Sequence, residues 1–418
     1  MAEGQDDSGL SGSNQQYGAR AALSSRNFRV YLSGSIFSLL GIWIQRLAIG
    51  WHAWQLTESA FIVGVVAAVQ FLPVLILTPF FGVMADRIQS RSGVIVMNTM
   101  MGGIAMVLGL ITLNGSMSIE ILVGLALLHG VVVSAYTPTR LSLIPDLVPQ
   151  YLFPSAVAIS AILFNLSRFV GPGIAGVVVA AWGLGWAYIN NALTYLPVIT
   201  ALFLLRIDAA STPVPNRKPY LVQLTDGLRY TRGHAKIREA LLLAGVCAFF
   251  GRGILEIMPA FAALIFEGDS RELALLMSSA GLGAIFGSLI YSTGRLALRV
   301  SLVLFAGATL TGVSLASLGF AGGIGAGMLV VLVLGFATSV VSVGTQTQIQ
   351  VKVENELRGR VMSLWSLLSM GGAALGSLVA GAVSREFNAS ISASSFGAAC
   401  LLGVVVIALR RRFDSRRH

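Results

Sequence analysis

Twelve apolar runs of about 20 residues, separated by short polar segments, constrain the fold of this chain more than any other feature. A helix needs roughly 20 mostly apolar residues to cross the hydrocarbon core of a bilayer, so each run predicts one transmembrane helix. Charged residues make up only 11% of the sequence, against about 25% in typical soluble domains, which excludes an ordinary soluble protein. The predicted spans are 30–54, 61–82, 93–113, 119–137, 154–180, 186–206, 240–263, 272–293, 299–320, 324–346, 360–383 and 393–410.

A charge-rich segment at 207–239 divides these runs into two sets of six. Three prolines near the start of the segment predict a solvated linker. Leucines at helical spacing follow, and they predict an amphipathic helix on the inner membrane surface. We expect six-helix bundles at 26–206 and 240–411. The polar stretch at 1–25 has no apolar core of a cleavable signal peptide and predicts a disordered cytoplasmic tail, and 412–418 forms a short basic tail.

Basic residues are concentrated on one side of the predicted membrane. With the N-terminus placed inside, 23 of the 28 Lys and Arg residues fall at the inner ends of the spans. The outer loops carry the acids Glu58, Glu120, Glu267, Asp269, Glu272 and Glu386. This asymmetry follows the positive-inside rule and predicts that both termini are cytoplasmic. A nucleic-acid-binding face would not be divided by apolar runs, so the net charge of +10 does not indicate nucleic acid as a partner.

Ionisable side chains inside the predicted spans are the first candidates for function. An arginine near the bilayer centre costs about 2.5–3.5 kcal/mol on insertion scales, so Arg46, with Gln45 beside it, should face protein or a water-filled cavity. His129 in span four has a reference pKa in the physiological range and is either a proton carrier or a packing residue. Both interpretations remain open at this stage.

Arg252 and Glu256 lie four residues apart in span seven and are therefore neighbours on one helix face. Glu256 is the only carboxylate that we place in a membrane interior, either as a structural ion-pair partner or as an acid that exchanges a proton. Cys247 and Cys400 both fall inside predicted spans, where packing is the expected role rather than a disulfide or a metal site.

The loop between spans two and three has the sequence GVMADRIQSR at 82–91. It resembles the cytoplasmic loop signature of the major facilitator superfamily through Gly82, Asp86, Arg87 and Arg91. It departs from that signature at Gln89 and Ser90, where a glycine and a base are usual. The resemblance implies a charge-assisted latch between helices that gates the inner side. The alternative is a cluster of charges that only sets topology.

Span five contains AISAILFNLSRFVGPGIAG at 158–176. It resembles the antiporter signature of the same superfamily, with small or bending residues at Ala158, Ser167, Gly171, Pro172, Ala175 and Gly176. Pro172 removes one backbone hydrogen bond and bends the helix, while small residues let another helix approach closely. In this superfamily the motif is associated with export. The alternative is a packing seam with no bearing on transport direction.

Weak internal repeats relate the two halves of the chain. GSLIYSTGRLALR occupies the place of the 82–91 loop at an offset of 205 residues, and TQTQIQVKVENELRGRV resembles TPTRLSLIPDLVPQYLF at an offset of 208. Such repeats are typical of two six-helix bundles related by an axis along the membrane normal, with the transport pathway between them. We therefore predict an all-α membrane protein with 12 transmembrane helices in two pseudo-symmetric bundles.

Several stretches together narrow the family. WIQRLAIGWHAWQLTES, FLPVLILTPFFGVMADR, NELRGRVMSLW and the Arg168–Gly176 segment resemble the bacterial transmembrane secretion effector branch of the superfamily, which includes the enterobactin exporter. Glu354 stands where many members have proline. The resemblance covers about 25–410 and implies the major facilitator fold in the bacterial inner membrane. It also implies a monomer that exports a siderophore-like molecule or an amphipathic drug by alternating access and proton antiport. Lysophospholipid flippases of the superfamily share much of the pattern.

We predict a transporter without cofactor or metal, not an enzyme, because no catalytic constellation falls where the topology would let it work. The expected partners are a small-molecule substrate, protons and membrane lipids. The predicted substrate cavity holds Gln45, Arg46, His129, Asn165, Arg168, Arg252 and Glu256. The predicted inner gate holds Asp86, Arg87, Arg91, Arg358 and Arg360. The three cavity arginines favour an anionic or catechol-like group, and Glu256 is the expected coupling acid. A lysophospholipid flippase and a transport-inactive sensor or scaffold are the alternative functions.

Overall fold

The structure is a computed structural model that describes residues 22–85, 89–205, 220–292 and 300–415. This part of the chain is helical, with a 3-10 turn at Gln150–Leu152 and a π turn at Ala248–Arg252. The α-helices are α1 (Arg26–Thr57), α2 (Ala60–Ala85), α3 (Ser90–Leu113), α4 (Ile119–Leu147), α5 (Phe153–Leu204), α6 (Tyr220–Gly233), α7 (Ala235–Cys247), α8 (Gly253–Glu256), α9 (Met258–Phe266), α10 (Ser270–Ser292), α11 (Val300–Leu318), α12 (Ile324–Lys352), α13 (Asn355–Glu386) and α14 (Ala389–Ser415).

Ten helices in the described ranges are long and apolar enough to cross a membrane, and the bent run from Ala235 to Phe266 makes an eleventh. Large apolar side chains such as Phe80, Val177 and Leu402 are exposed on the outside of the helices, as a hydrocarbon environment requires. The prediction of an all-helical membrane protein is confirmed. The count of twelve spans stays a prediction.

Helix α5 folds back on itself at Gly183, whose φ of 79° and ψ of 174° interrupt 52 otherwise helical residues. Gly171 touches Trp43, whereas Asn191 binds Gln45, so both residues lie at nearly the same height along α1. In a straight helix 20 residues would separate them by about 30 Å. The two arms of α5 therefore run antiparallel, which agrees with separate spans at 154–180 and 186–206. Glycine at position 183 allows a backbone conformation that other residues rarely adopt.

The run from α7 to α9 is broken where the sequence predicts one span at 240–263. Its first part ends in the π turn and α8, and Ile257 leaves helical geometry with a ψ of 15°. The direction then changes by 63° into α9. Pro259 lies in the first turn of α9, where its missing N–H breaks no hydrogen bond. The break places Glu256 at a helix end instead of in an uninterrupted span.

The helix ends define an acidic end, with Glu58, Glu120, Glu267 and Glu386, and an opposite basic end. Two seams join the halves of the molecule towards the acidic end. In the α2–α13 seam, the hydroxyl of Ser377 donates to the carbonyl of Gly64 at 3.3 Å. In the α5–α10 seam, a Cβ at Gly176 would overlap Ala274. Small residues thus allow both pairs of backbones to approach closely.

The charged helix α6 belongs to the second half. Asp226 accepts a hydrogen bond from Nη1 of Arg360 in α13 at 2.7 Å, and Gly227 packs on the backbone of Arg360. Tyr230 packs on the apolar cluster formed by α7, α12 and α13. The leucine-containing segment after the prolines is a helix, as its spacing predicts. Contacts with α13 and with the apolar cluster hold this amphipathic helix against the second half.

Candidate functional site

An ion pair between Arg46 of α1 and Glu256 of α8 connects the two halves near the middle of the molecule. Nη2 of Arg46 lies 2.5 Å from Oε2 of Glu256, and Nε of Arg46 donates to the same oxygen at 3.1 Å. The two side chains are 26% and 13% exposed, so solvent reaches the pair only partly. Removal of one partner would leave an uncompensated charge in a poorly solvated site.

Aromatic rings hold the guanidinium in place. The Cζ atom of Arg46 lies 4.4 Å from the ring centroid of Phe71 and 5.7 Å from that of Trp43. Both distances allow cation–π attraction, which is stronger away from water. Arg46 therefore keeps favourable contacts in the first half even when its carboxylate partner in the second half is lost.

The pair lines a narrow cleft between the halves, whose cavity volume is about 30 Å³ in this conformation. Its walls come from α1, α2 and α5 of the first half and from α8, α9 and α10 of the second. Gln70, Pro172, Pro259 and Met277 are among the lining residues. A few polar groups in a mostly apolar concave surface are typical of small-molecule sites. The cleft can bind a molecule that presents an anionic group to Arg46.

Glu256 is paired across the halves rather than within its own helix. The sequence predicts Arg252 as its neighbour, and the backbone from Arg252 to Glu256 is helical, with the charge of Glu256 acting on Arg252. A salt bridge between these two side chains is nevertheless not present among the described residues, and Glu256 forms its ion pair with Arg46. Arg252 instead lines a separate small pocket with Thr338, Ser342 and Ser369. The missed partner, Arg46, lies 210 residues away in sequence. A charge at nearly equivalent places in spans one and seven is the signal that could have identified it.

Gln45 does not face the cleft that its neighbour Arg46 lines. It is 1% exposed, and its Oε1 accepts a hydrogen bond from Nδ2 of Asn191 in the second arm of α5. Adjacent helix residues point about 100° apart, which explains the difference. The structure thus gives Gln45 a helix-joining contact, a common role for amides in membrane helices.

His129 is buried in α4, next to the close approach of Gly130 to the α2 backbone at Gln70. Its Nε2 has no hydrogen-bond partner among the described residues. It lies in the electrostatic field of Arg46 without contacting it. The two roles expected of His129, proton carrier and packing residue, both stay predictions.

Of the predicted inner-gate residues that the structure describes, Arg91 and Arg360 form contacts within their own halves. Arg91 donates to the carbonyl of Phe203 at 2.9 Å, within the first half. Arg360 is bound to Asp226, within the second half. Nε of Arg358 is buried and has no partner in the described ranges. Asp86 and Arg87 lie outside the described residues.

The predicted bend in span five occupies the wall of the cleft. Gly171 packs on Trp43 of α1, Pro172 lines the cleft, and Gly176 forms the seam with α10. The backbone stays helical at Pro172, and the reversal of α5 comes later, at Gly183. The side chains of Asn165 and Arg168 lie outside the described part of the structure.

Metal ligands do not cluster within the described ranges, where no three His, Cys, Asp or Glu side chains come together. Cys247 and Cys400 are buried free thiols. The Sγ of Cys400 lies 3.9 Å from the carbonyl oxygen of Ala308, in the core of the second half.

Comparison with known proteins gives the family. Residues 17–416 match the family described as transmembrane secretion effector. The chain is 23% identical over 265 residues to the Staphyloferrin A transporter of Staphylococcus aureus, covering 63% of this chain and 66%, just under two thirds, of that protein. It is 26% identical over 393 residues to the Enterobactin exporter EntS of Shigella boydii serotype 4, covering 92% of each.

The fold matches that of a point mutant of the nucleoside transporter NupG with a TM-score of 0.70 at 13% sequence identity, over 91% of this chain and 98% of that one. The match confirms the major facilitator fold that the loop and span-five motifs imply. The family is one of transporters, and the chain is not an enzyme. The chain belongs to the transmembrane secretion effector family of the major facilitator superfamily of membrane transporters.

Proposed function

We propose that this protein is a secondary active transporter that exports a small organic anion by alternating access of a cleft between its two halves. The observation that carries the proposal is the Arg46–Glu256 ion pair, which lies in that cleft and joins one half to the other. A charged pair at such a place is formed or broken when the halves move. It can therefore couple binding of a charged ligand to the movement.

The orientation follows from the distribution of charge. We propose twelve spans, counting the two arms of α5 separately and the bent run α7 to α9 as one. The basic end is then cytoplasmic in a bacterial inner membrane, and both termini lie on that side. The seams towards the acidic end close the outer side, so the structure represents an inward-facing state. Arg91 and Arg358, with Asp86 and Arg87, would meet at the basic end in the opposite state.

Protonation of Glu256 is the proposed coupling step. A neutral carboxyl group binds the guanidinium of Arg46 far more weakly than a carboxylate does, so a proton on Glu256 releases Arg46. The freed Arg46 can then bind an anionic substrate. Return of the carboxylate to Arg46 displaces the substrate. The anion and the carboxylate of Glu256 therefore compete for Arg46, so protonation of Glu256 and binding of the anion are thermodynamically linked.

Siderophore-like molecules are the proposed cargo because two relatives carry siderophore names, the Staphyloferrin A transporter and the Enterobactin exporter EntS. Arg46 supplies the cationic contact that an acidic siderophore needs. Phe71 and Trp43 add apolar ring surface close to it. A substrate with an anionic group and a flat apolar part fits this environment.

Transport in proteoliposomes that enclose a pH-sensitive dye tests the proposal. Enterobactin and staphyloferrin A serve as probe substrates, and an imposed pH gradient should drive uptake of at least one of them, while the dye reports the linked proton movement and its direction. Glu256→Gln should abolish the proton movement. Glu272→Gln is the control, because Glu272 bonds the backbone of Asp269 within its own half. Unchanged coupling in Glu256→Gln would refute the assignment of the coupling acid.

A further inference from the structure

A lateral groove runs along the outside of the α5–α10 seam, apart from the cleft between the halves. Its cavity volume is about 270 Å³. Its α5 wall runs from Gly173 to Ala181, and its α10 wall runs from Arg271 to Ser278. Eight residues of helix correspond to about 12 Å. The groove is therefore an elongated slot parallel to the helices, with Arg271 at its acidic-end mouth.

The groove faces the membrane. Val177 is 70% exposed and Leu275 is 40% exposed, and in a chain that crosses a bilayer such apolar surface contacts lipid. Small side chains at Gly173, Ala180 and Ala274 create the depth of the slot. An apolar slot of this shape and orientation accommodates an acyl chain.

The groove and the cleft lie on opposite sides of the same seam. Pro172, Leu273 and Met277 line the cleft, whereas their sequence neighbours Gly173 and Ala274 line the groove. The close approach of Gly176 to Ala274 separates the two spaces. The groove is formed by both halves and exists because they are in contact here. An occupant would therefore favour the conformation with the acidic end closed.

The charges at the mouth select the head group. Arg271 supplies one guanidinium, and no salt bridge to it is present among the described residues. The exposed carboxylates of Glu267 and Asp269 stand in the loop immediately before it. Two carboxylates here already accept backbone hydrogen bonds: Glu272 from the N–H of Asp269 at 2.9 Å, and Asp269 from the N–H of Arg271 at 2.6 Å. A purely anionic head group would meet more negative than positive charge. A zwitterion that carries a phosphate and an ammonium group matches both signs.

We propose that this groove is a binding site for an ethanolamine phospholipid of the leaflet at the acidic end. One acyl chain lies in the slot, the phosphate binds Arg271, and the ammonium group faces the carboxylates of Glu267 and Asp269. The primary ammonium group carries a positive charge and donates hydrogen bonds. A glycerol head group has no positive charge to offer these carboxylates. The site does not depend on the nature of the transported substrate.

Photolabelling of the purified full chain in nanodiscs tests this site. Phosphatidylethanolamine and phosphatidylglycerol, each with a diazirine on one acyl chain, are compared as probes, and labelled peptides are identified by mass spectrometry. The ethanolamine probe should label the groove walls on α5 and α10 about fivefold more than the glycerol probe. That is the change expected from about 1 kcal/mol of head-group preference.

Two matched pairs of variants sharpen the test. Arg271→Gln should lower groove labelling about fivefold, the effect of one lost charge-assisted hydrogen bond, whereas Arg385→Gln, at the other base of the acidic end, should leave it unchanged. Ala180→Leu should fill the slot and reduce labelling, whereas Ala398→Leu, at an exposed position on α14, should not.

Equal labelling by the two probes overturns the head-group assignment, and full labelling of Ala180→Leu overturns the acyl-chain slot. Melting curves of each variant show whether it is folded, and labelling of α14 provides an internal reference. The assay needs no substrate, so its failure is distinguishable from a failure of the proposed transport activity.

Discussion

Replacement of Glu256 by glutamine should open the acidic end of the molecule. In the present conformation the carboxylate binds Arg46 through two nitrogens, at 2.5 and 3.1 Å. The partners belong to different halves, so separation of the halves breaks the pair. Glutamine keeps the size of the side chain and loses its charge. The substitution therefore weakens the closed state more than any state in which the pair is already absent.

The size of the effect follows from the geometry. Two unit charges 4 Å apart interact by about 4 kcal/mol at an effective dielectric constant of 20. The side chains are 26% and 13% exposed, which screens part of this energy. Arg46 also keeps its contacts with Phe71 and Trp43, worth about 0.5–2 kcal/mol in total. We expect a net loss of about 2 kcal/mol, which shifts the ratio of closed to open molecules about 30-fold.

Distances between spin labels measure this shift. Gln55 and Phe387 are exposed at the acidic end, in different halves, and can be changed to cysteine after Cys247 and Cys400 are replaced by alanine. Pulsed electron resonance should show one short distance in the parent protein. Glu256→Gln should add a longer distance as the major population.

The exchanged variant Arg46→Glu with Glu256→Arg should restore the short distance, because it rebuilds the pair in reverse. Glu272→Gln should not change the distances, since its carboxylate bonds only within the second half. A distance distribution of Glu256→Gln identical to that of the parent would refute the assignment of this pair as a link between halves.

Three further predictions concern the contacts around the site. Gly176→Val should overlap Ala274 and destabilise the α5–α10 seam by about 1–3 kcal/mol, which would lower the melting temperature. Gly103→Val is the control, because a side chain there has no neighbour in reach, and it should change the melting temperature little. Asp226→Asn should remove the salt bridge to Arg360 and speed hydrogen exchange in α6, with a stability loss of only about 0.2–1 kcal/mol; unchanged exchange would show that Tyr230 packing alone holds the helix. The backbone N–H of Arg271 holds the pKa of Asp269 below its ordinary value of 3.8. The charged form therefore stabilises the fold above about pH 4, and this contribution is lost as the pH falls through the lowered pKa. The stability difference between the parent and Asp269→Asn should shrink on acidification. A difference that stays constant with pH would contradict this role of Asp269.

The spans, the linker helix and the fold could be predicted because each depends on local or repeated features of the sequence. Apolar length predicts a membrane helix without knowledge of its neighbours. The leucine spacing at 221–228 predicts α6, and the loop and span-five motifs indicate the superfamily. The ends and breaks of the individual helices were less predictable. Pro259 is a local signal of a helix break within the predicted span 240–263, but it does not give the 63° change of direction that the structure has there.

The sequence indicates which residue types belong to the site, but not which residue each of them contacts. Insertion cost alone identifies Arg46 and Glu256 as residues that must avoid lipid. It does not say which side of a helix faces which neighbour, since that depends on packing between helices far apart in sequence. Gln45 illustrates the limit: it stands next to Arg46, yet its amide lies against Asn191 in the interior of the first half. Helical spacing places Arg252 one turn before Glu256, and the helical backbone keeps it there. Spacing within one helix cannot show that the ion pair of Glu256 is formed with Arg46 of the other half.

The internal repeat supplies the missing information about partners. The offsets of 205 and 208 between the repeated loops take Arg46 to positions 251 and 254, about one helical turn or less before Glu256, which lies at an offset of 210. Equivalent positions in two bundles related by an axis along the membrane normal face each other across that axis. The same axis exchanges the two seams: α2 is equivalent to α10 and the first arm of α5 is equivalent to α13, so the α2–α13 contact and the α5–α10 contact are symmetry counterparts. Opposite charges at equivalent positions of spans one and seven therefore predict an ion pair on the axis, where any rocking of the halves must change it.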